Sequence, residues 1–306
     1  MIAVRPADGT ILRQKVLDIM DADSSIPTFS ASTTKLNQMF NDADVSFSKL
    51  GRVIETDPTL AASCIKLASS AIYGRGRIDS VAHALSRIGI KEIRRLSTMR
   101  GVLDTLRRFR VEINWNIFMS HALLTARLTE HLCRGYVRKP VADGGSAYLA
   151  GLMHDIGRIF LKHHFPGEFE EMILRSMQTK EDVFEMERET VGITHAEVGA
   201  LMCKKWNLNT DVIHAIRYHH EPMVISVMMN NVEESTNIMA MCLCAANAMA
   251  NCYGEKFAGA RILHENHEMM PEWNVLSRLT AVREIQFDIT DEIATVSELI
   301  ATLLAA

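Results

Sequence analysis

Apolar residues recur at helical spacing through most of the chain. The stretch DPTLAASCIKLASSAIYG is a clear example, because its apolar positions repeat every three or four residues. These positions are Leu60, Cys64, Leu67, Ala68 and Ala71. Asp57 is a suitable N-cap, Pro58 fits the first helical turn, and Gly74 fits the position just after a helix. The stretch is therefore predicted to be a helix.

The same pattern predicts helices along the rest of the chain. They are expected in DSVAHALSRIG, which Gly89 ends, at about 90–107 and 114–134, and in LAGLMHDIGRIF, THAEVGALMCKKWNL, NTDVIHAIRYHHEP, STNIMAMCLCAANAMANCYG and DITDEIATVSELIATLLAA. In THAEVGALMCKKWNL, Thr194 and Glu197 form a capping box. RKPVADGGSA is the clearest loop. No alternating strand of convincing length is present, so the predicted fold class is all-α.

Composition narrows the function classes. The 306 residues are 48% hydrophobic, which suffices for a large core, and the net charge of −4 gives no nucleic-acid signature. The six cysteines include no CxxC pair and lie in apolar helical patterns, which favours reduced core thiols in a cytoplasmic protein. The first residues lack a signal-peptide layout, and no stretch approaches the roughly 18 apolar residues of a membrane span.

His154 and Asp155 stand side by side in the apolar helix LAGLMHDIGRIF. An unpaired buried carboxylate costs many kcal/mol, so Asp155 needs a partner. A metal ion is one candidate partner, and a hydrogen-bonded structural pair is the other. Gly151 and Gly157 flank the pair, although glycine inside a helix costs about 1 kcal/mol relative to alanine. Either another helix backbone or an ion with its ligands is therefore expected to approach this face closely.

Further candidate ligands occur on other predicted helices. His121 lies on an apolar stripe, His195 begins a helix, and His219 and His220 lie at a helix end. Each alone has a structural explanation, such as a core histidine or a cation at a helix C-terminus. Taken with His154 and Asp155, they favour a metal cluster, and imidazole with carboxylate suits zinc, iron, manganese and nickel. The remaining histidines are interpreted as surface or packing residues: His83, His131, His163, His164, His214, His264 and His267.

From about residue 26 to 221 the chain resembles an HDOD domain, a helical relative of the HD-type metal-dependent phosphohydrolases. The segments that carry the resemblance are IPTFSASTTKLNQMFNDADVSFSKLGRVIETDPTLAASCIKLASSAIYG, VAHALSRIGIKEIRRL, YLAGLMHDIGRIF, THAEVGALMCKKWNL and AIRYHHEP. The resemblance implies an HD-like helical bundle. It divides the chain into an N-terminal segment (1–25), an HDOD domain (26–221, with a helical N-terminal subdomain at 26–112 and an HD-like part at 113–221) and a C-terminal helical extension (222–306) that completes the bundle.

The resemblance also implies an arrangement of metal ligands. One divalent ion would be held by His121, His154, Asp155 and Asn247, and a second ion by Asp155 with His195, His219 and His220. Asn247 departs from the family pattern, in which an aspartate stands at this place. An amide oxygen can coordinate a metal but carries no negative charge. Arg158 replaces the family's lysine and remains a phosphate-binding cation.

Two functions from different classes follow from this resemblance. The first is a bacterial signal-transduction module that retains a metal site and acts through a protein partner or a small phosphorylated ligand. The second is a phosphohydrolase acting on a nucleotide, cyclic dinucleotide or phosphomonoester, with His154, Asp155 and Arg158 as catalytic residues. The absence of a Gly-rich phosphate loop and of a nucleotide fingerprint favours the first. A helical protein with fortuitous histidines is the remaining alternative.

Overall fold

The computed structural model describes residues 9–22, 26–40, 46–70, 73–74, 77–135, 144–179, 181–228, 234–253, 267–279 and 287–304. Within these residues the regular structure is helical and no strand occurs. The predicted all-α fold class is confirmed. None of the helices in this part of the chain is long and apolar enough to cross a membrane.

The chain divides into two compact units, and the first comprises residues 1–27 and 109–288. Its helices are α1 (Gly9–Asp21), α6 (Trp115–Gly135), α7 (Gly144–Met153), α8 (Ile156–His164), α9 (Pro166–Thr179), α10 (Val183–Thr190), α11 (His195–Lys205), α12 (Thr210–Tyr218), α13 (Pro222–Met228), α14 (Glu234–Tyr253) and α15 (Pro271–Leu279). A 3-10 turn, His267–Met269, precedes α15. The central packing is α6 on α7 and α14, with α12 against α7 and α14.

The second unit comprises residues 28–108 and 289–306. Its helices are α2 (Ala31–Phe40), α3 (Phe47–Glu55), α4 (Pro58–Ala68), α5 (Val81–Arg107) and α16 (Ile289–Leu304). The last helix packs against α4, where the Lys66 ammonium donates to the carbonyl oxygen of Ala301 at 2.7 Å. Helices far apart in the sequence thus share one core.

Local capping explains where several helices begin and end. Asp57 accepts hydrogen bonds from the amides of Thr59 and Leu60, as the sequence predicts for an N-cap. The helix ends at Ala68, however, earlier than the position of Gly74 suggested, although Gly74 does adopt a positive φ of 92°. The predicted Ala71 position lies outside the described residues.

Two other sequence signals for helix boundaries, Gly89 and the capping box, act as predicted. Gly89 has a φ of 78° and a ψ of 163°, so it interrupts α5 and separates two helical segments. The capping box of α11 is present, because the Thr194 hydroxyl accepts from the Glu197 amide and the Glu197 carboxylate accepts from the Thr194 amide.

The cysteines are all free thiols, and five of them are buried. Burial, with a smaller effect of Asp57, raises the pKa of the Cys64 thiol to about 12. Such thiols are inert at neutral pH, since the thiolate is the reactive form. The interpretation of these residues as reduced core thiols agrees with their placement.

Candidate metal centre

The helix predicted over LAGLMHDIGRIF is broken at its ionisable pair. Helix α7 ends at Met153, His154 and Asp155 form a turn, and α8 begins at Ile156. Asp155 has a φ of −99° and a ψ of 5°, outside the α-helical region. The prediction of one continuous helix was therefore wrong at this point. The break places both side chains at a junction between helices rather than along one helical face.

Two glycines allow other helices to approach this junction. A Cβ atom at Gly151 would lie 2.4 Å from the Cα of Ala126 on α6. A Cβ atom at Gly157 would lie 2.0 Å from the carbonyl oxygen of His195 on α11. Both are backbone atoms that cannot move aside, so only glycine fits. Of the two explanations open from the sequence, close approach of a helix backbone is the correct one.

The first group of candidate donors comprises His121, His154 and Asp155. The Nε2 atoms of His121 and His154 are 3.1 Å apart. The nearer Asp155 oxygen, Oδ2, lies 3.8 Å from the Nε2 of His121 and 3.6 Å from that of His154. All three side chains are buried. One imidazole from α6 and two groups from the α7–α8 junction thus present their ligand atoms to a common point.

The second group shares Asp155 and adds three histidines, His195, His219 and His220. The Oδ1 atom of Asp155 lies 3.1 Å from the Nε2 of His195 and 3.9 Å from that of His219. His195 begins α11, and the adjacent pair His219 and His220 follows the end of α12. Asp155 therefore turns one carboxylate oxygen toward each group of histidines.

Three of the histidines are oriented by hydrogen bonds at their outer nitrogens. The Nδ1 of His154 contacts the carbonyl oxygen of Gly151 at 2.8 Å, and the Nδ1 of His219 contacts that of Ile216 at 2.7 Å. Because a carbonyl oxygen can only accept, Nδ1 carries the proton and Nε2 presents its lone pair to the centre. Such bonds fix the tautomer of metal-binding histidines in proteins.

Glu187 on α10 orients His195 in the same way. Its Oε2 lies 2.6 Å from the Nδ1 of His195 and accepts from the His195 backbone amide at 2.7 Å. Glu187 is fully buried. Glu187 is not among the site residues predicted from the sequence. The signal that could have found it is its position four residues after Val183, on the buried face of a short helix just before His195.

Arg158 neutralises the carboxylate of Asp155, which the two groups share. Its Nε donates to the Oδ1 of Asp155 at 3.0 Å, and both side chains are buried. Burial alone would raise the pKa of Asp155, but Arg158 and the neighbouring histidines hold it well below its usual range. Asp155 is therefore a charged carboxylate, the form in which it binds a cation.

Burial keeps most of the imidazoles neutral. Burial and the neighbouring His154 lower the pKa of His121 to about 3. Burial likewise lowers the pKa values of His154, His219 and His220. His195 differs: burial would lower its pKa, but the carboxylate of Glu187 raises it above the usual value. Neutral imidazole is the protonation state that coordinates a metal.

Asn247 on α14 lies beside the first group. It is 5% exposed, it interacts with His121, and its Oδ1 accepts from the Nδ2 of Asn251 at 3.3 Å. The structure thus brings together every predicted ligand position: His121, His154, Asp155, His195, His219, His220 and Asn247. Their role as ligands stays a prediction.

The donors fit a divalent cation, and one unsatisfied atom supports this fit. Among the described residues, the Nε2 of His220, a member of the second group, is buried without a hydrogen-bond partner. Unsatisfied buried polar atoms are rare in folded proteins and call for an explanation such as an ion or water. Imidazole nitrogens with a charged carboxylate suit zinc, iron, manganese or nickel. One or two ions can be accommodated by the two groups that share Asp155.

The histidines interpreted as surface or packing residues lie apart from these groups. His214 bonds the Oδ1 of Asn237 at 2.9 Å, His267 bonds the hydroxyl of Tyr253 at 2.9 Å, and His131 stacks on Phe287. His163 and His164 pack against Phe109, and His83 lies 3.8 Å from Asp79. His264 lies outside the described residues. Within the described residues, these histidines are therefore separate from the two groups of candidate ligands.

The fold and the buried cluster together define a class: an all-α protein in which a histidine–aspartate pair joins histidines from separate helices. Residues 26–222 match the model of the HDOD domain. The match covers more than half of the chain, and the chain belongs to the HDOD family. The resemblance seen in the sequence is confirmed.

One relative and several solved structures are similar to this chain. An uncharacterised protein of Treponema pallidum (strain Nichols) is 26% identical over 215 residues, which cover 66% of this chain and 39% of the relative. The chain therefore matches well under half of that relative's length. The crystal structure of an HDOD domain protein of unknown function from Geobacter sulfurreducens is similar with a TM-score of 0.71 and 22% identity, over 97% of this chain and 95% of the other.

A second solved structure, named "Putative phosphohydrolase" and from Shewanella amazonensis SB2B, has a TM-score of 0.64 and 19% identity, over 95% of this chain and 97% of the other. A third, named "Putative signal transduction protein" and from Marinobacter aquaeolei VT8, has a TM-score of 0.70 and 19% identity, over 99% of this chain and 68% of the other. At these identities the likeness shows the shared fold.

Proposed function

We propose that this protein is a regulatory HDOD module of bacterial signal transduction with a metal centre at its core. The observation that carries the proposal is the buried donor set joined by Asp155, in which Asn247 stands where a hydrolase would favour a carboxylate. The cluster has the donors to hold an ion. Within the described part of the chain, the first group has no second carboxylate that would add negative charge and orient an attacking water.

Burial of the donors also favours a structural or sensory ion. The side chains of His154 and His195 have no exposed surface, and that of Asp155 is 5% exposed. A phosphorylated substrate must reach the metal before its phosphorus can be attacked. In a regulatory module His154 and Asp155, at the junction of α7 and α8, would instead hold an ion together with the histidines of α6, α11 and α12, and metal loading would tie these helices together.

The alternative function is a metal-dependent phosphohydrolase. Asp155 faces both groups of histidines, an arrangement suited to two ions that act on one phosphoryl group. Arg158 supplies a cation beside it. In that case an ion would activate water, Asp155 would hold the ions, and Arg158 would bind the phosphate oxygens.

A metal and activity comparison separates these functions. Protein purified without a histidine tag is analysed for bound metal, and melting is measured with and without added Mn²⁺, Zn²⁺, Fe²⁺ or Ni²⁺. The wild type should contain metal and gain stability from it, since an ion that binds only the folded state stabilises that state. His195→Ala should lose this gain, whereas His83→Ala, which changes an exposed histidine, should keep it.

The same samples are assayed on phosphomonoesters, phosphodiesters, nucleotides and cyclic dinucleotides. Negligible hydrolysis by metal-loaded protein is the expected result. Turnover that His154→Ala abolishes would replace the regulatory function with the hydrolase. Melting curves that metal leaves unchanged would reject the metal centre itself and restore the interpretation of hydrogen-bonded core histidines.

A further inference from the structure

A groove lies on the outer surface of the helices that carry the second group of donors. It has a volume of about 720 Å³ and is formed by α1, α11, α12 and the turn between the last two. Binding sites for small molecules have volumes of roughly 300–1,000 Å³. The groove therefore has the size of a ligand site, and none of the candidate metal ligands lines it.

Helical periodicity places the groove residues and the candidate metal ligands on different faces of α11 and α12. On α11, Glu197, Ala200, Leu201 and Lys204 line the groove, at positions that share one helical face. His195 and Gly199 lie on the other face, against the α7–α8 junction. On α12, the groove face is formed by Thr210, Ile213, His214 and Arg217. The buried face of the same helix leads to His219.

The floor of the groove is apolar and its wall is held in place. Leu17, Leu201, Leu208 and Ile213 contribute partly exposed aliphatic side chains. The wall is the turn after α11, where Asn207 adopts a positive φ of 54°. The amide of Leu208 bonds the carbonyl of Cys203 at 3.1 Å, as in a Schellman end. The site is therefore pre-formed rather than a gap between loose loops.

The charges on the groove favour an anion. Three cations line it, Arg13, Lys204 and Arg217, against one carboxylate, Glu197. The Oε1 of Glu197 accepts a hydrogen bond from the Nη2 of Arg217 at 2.9 Å and lies 3.7 Å from the Nη1 of Arg13. The ammonium of Lys204 has no ion pair within the described part of the chain, and its side chain is exposed. An anionic head group can pair with it without displacing an existing contact.

We infer that this groove binds a small molecule with an apolar body and an anionic head group, with Lys204 as the main partner of the head group. The aliphatic floor accepts the apolar body, and the cations at the rim accept the charge. The inference goes beyond the proposed function and does not depend on it, because none of the groove residues belongs to the metal donors.

Anilinonaphthalene sulfonate (ANS) is a suitable probe, since it combines fused and single aromatic rings with one negative charge. The full-length chain is titrated with ANS, and binding is followed by fluorescence. The expected result is saturation at one site. Lys204→Glu reverses the charge beside the head group. It should weaken the affinity for ANS about fivefold, because one ion pair is lost.

Lys205→Glu is the matched control, because Lys205 is the next residue on α11, is exposed, and does not line the groove. It should change affinity by less than about twofold. A second variant, Leu201→Trp, fills the groove and should abolish saturable binding while circular dichroism shows an intact helical fold. His154→Ala should bind ANS normally, which separates this inference from the metal centre.

Three results would overturn the inference. They are the absence of saturable ANS binding by the wild type, equal weakening by Lys204→Glu and Lys205→Glu, and binding that persists in folded Leu201→Trp protein. The last two would assign the fluorescence to other exposed apolar residues, such as Met223 and Val227 on α13. Because Lys204 is exposed, its substitution tests the inference even where Leu201→Trp does not fold.

Discussion

Glu187 controls the orientation of His195 from outside the donor set. One of its oxygens accepts from both the ring Nδ1 and the backbone amide of His195, so it fixes the ring and the first turn of α11 together. It also makes His195 the one member of the cluster whose pKa is raised, although burial acts in the opposite direction. Its position beside a candidate ligand makes it a positioning residue.

Glu187→Gln should therefore weaken metal binding about 10- to 100-fold, the usual cost of losing a hydrogen-bond partner of a ligating histidine. Titration calorimetry with Zn²⁺ or Mn²⁺ measures the change. Glu185→Gln on the same helix is the control, because Glu185 is exposed and pairs only loosely with Arg188 at 3.5 Å. Equal affinities for the two variants would show that Glu187 serves packing alone.

Asn247 offers a second test at single-residue scale. Asn247→Asp should tighten metal binding at the first group, because it adds a negative charge beside His121 where the amide supplies none. Asn251→Asp adds the same charge one helical turn away on α14 and serves as the control. Calorimetry should show a larger gain for Asn247→Asp. A gain that is equal in both variants would mean general electrostatic attraction rather than coordination.

At the scale of helices, the α7–α8 junction decides the geometry of the centre. The apolar pattern predicts one helix across LAGLMHDIGRIF, because periodicity registers burial and not the backbone angles of a single residue. Gly151 and Gly157 correctly predicted that a neighbouring helix approaches closely. They could not show which helices come near, since that depends on contacts between α7 and α6 and between α8 and α11.

Gly157→Ala tests this close approach. The added Cβ would meet the carbonyl of His195 at 2.0 Å, so α8 and α11 must separate, and the free energy of unfolding should fall by about 1–3 kcal/mol. Gly167→Ala at the start of α9 is the control, since nothing lies within 4 Å of its added Cβ. Denaturant unfolding compares the two. Similar stability in both variants would contradict the tight contact.

At the scale of the whole molecule, the sequence predicted the residue types of the centre but not its full environment. His121, His154, Asp155, His195, His219 and His220 were recognised because they lie in apolar helices and match a known family order. Glu187 was missed because it has no metal-ligand spacing, and its helical position relative to Val183 indicates burial but not the contact with His195. Similarly, α16 packs with α4 in the second unit, a long-range contact that amphipathic periodicity alone cannot specify.

The buried imidazoles make the stability of the metal-free protein depend on pH. His121, whose pKa falls to about 3, stays neutral in the folded state over a range where the unfolded chain takes up a proton. His154, His219 and His220 have pKa values lowered in the same direction. The unfolded state then binds more protons below its histidine pKa of about 6.5, so stability is lost as the pH falls below this value.

We therefore expect the free energy of unfolding of EDTA-treated protein to fall between pH 7 and pH 4. Each proton bound only by the unfolded state contributes about 1.4 kcal/mol per pH unit. The raised pKa of His195 opposes this slope only near and above about pH 6.5, because at lower pH both states carry its proton. Urea unfolding at several pH values measures the slope. His121→Gln removes one contributing group and should give a shallower slope than the wild type. Stability that is constant or rises as the pH falls would show that these imidazoles take up protons as readily in the folded protein as in the unfolded chain.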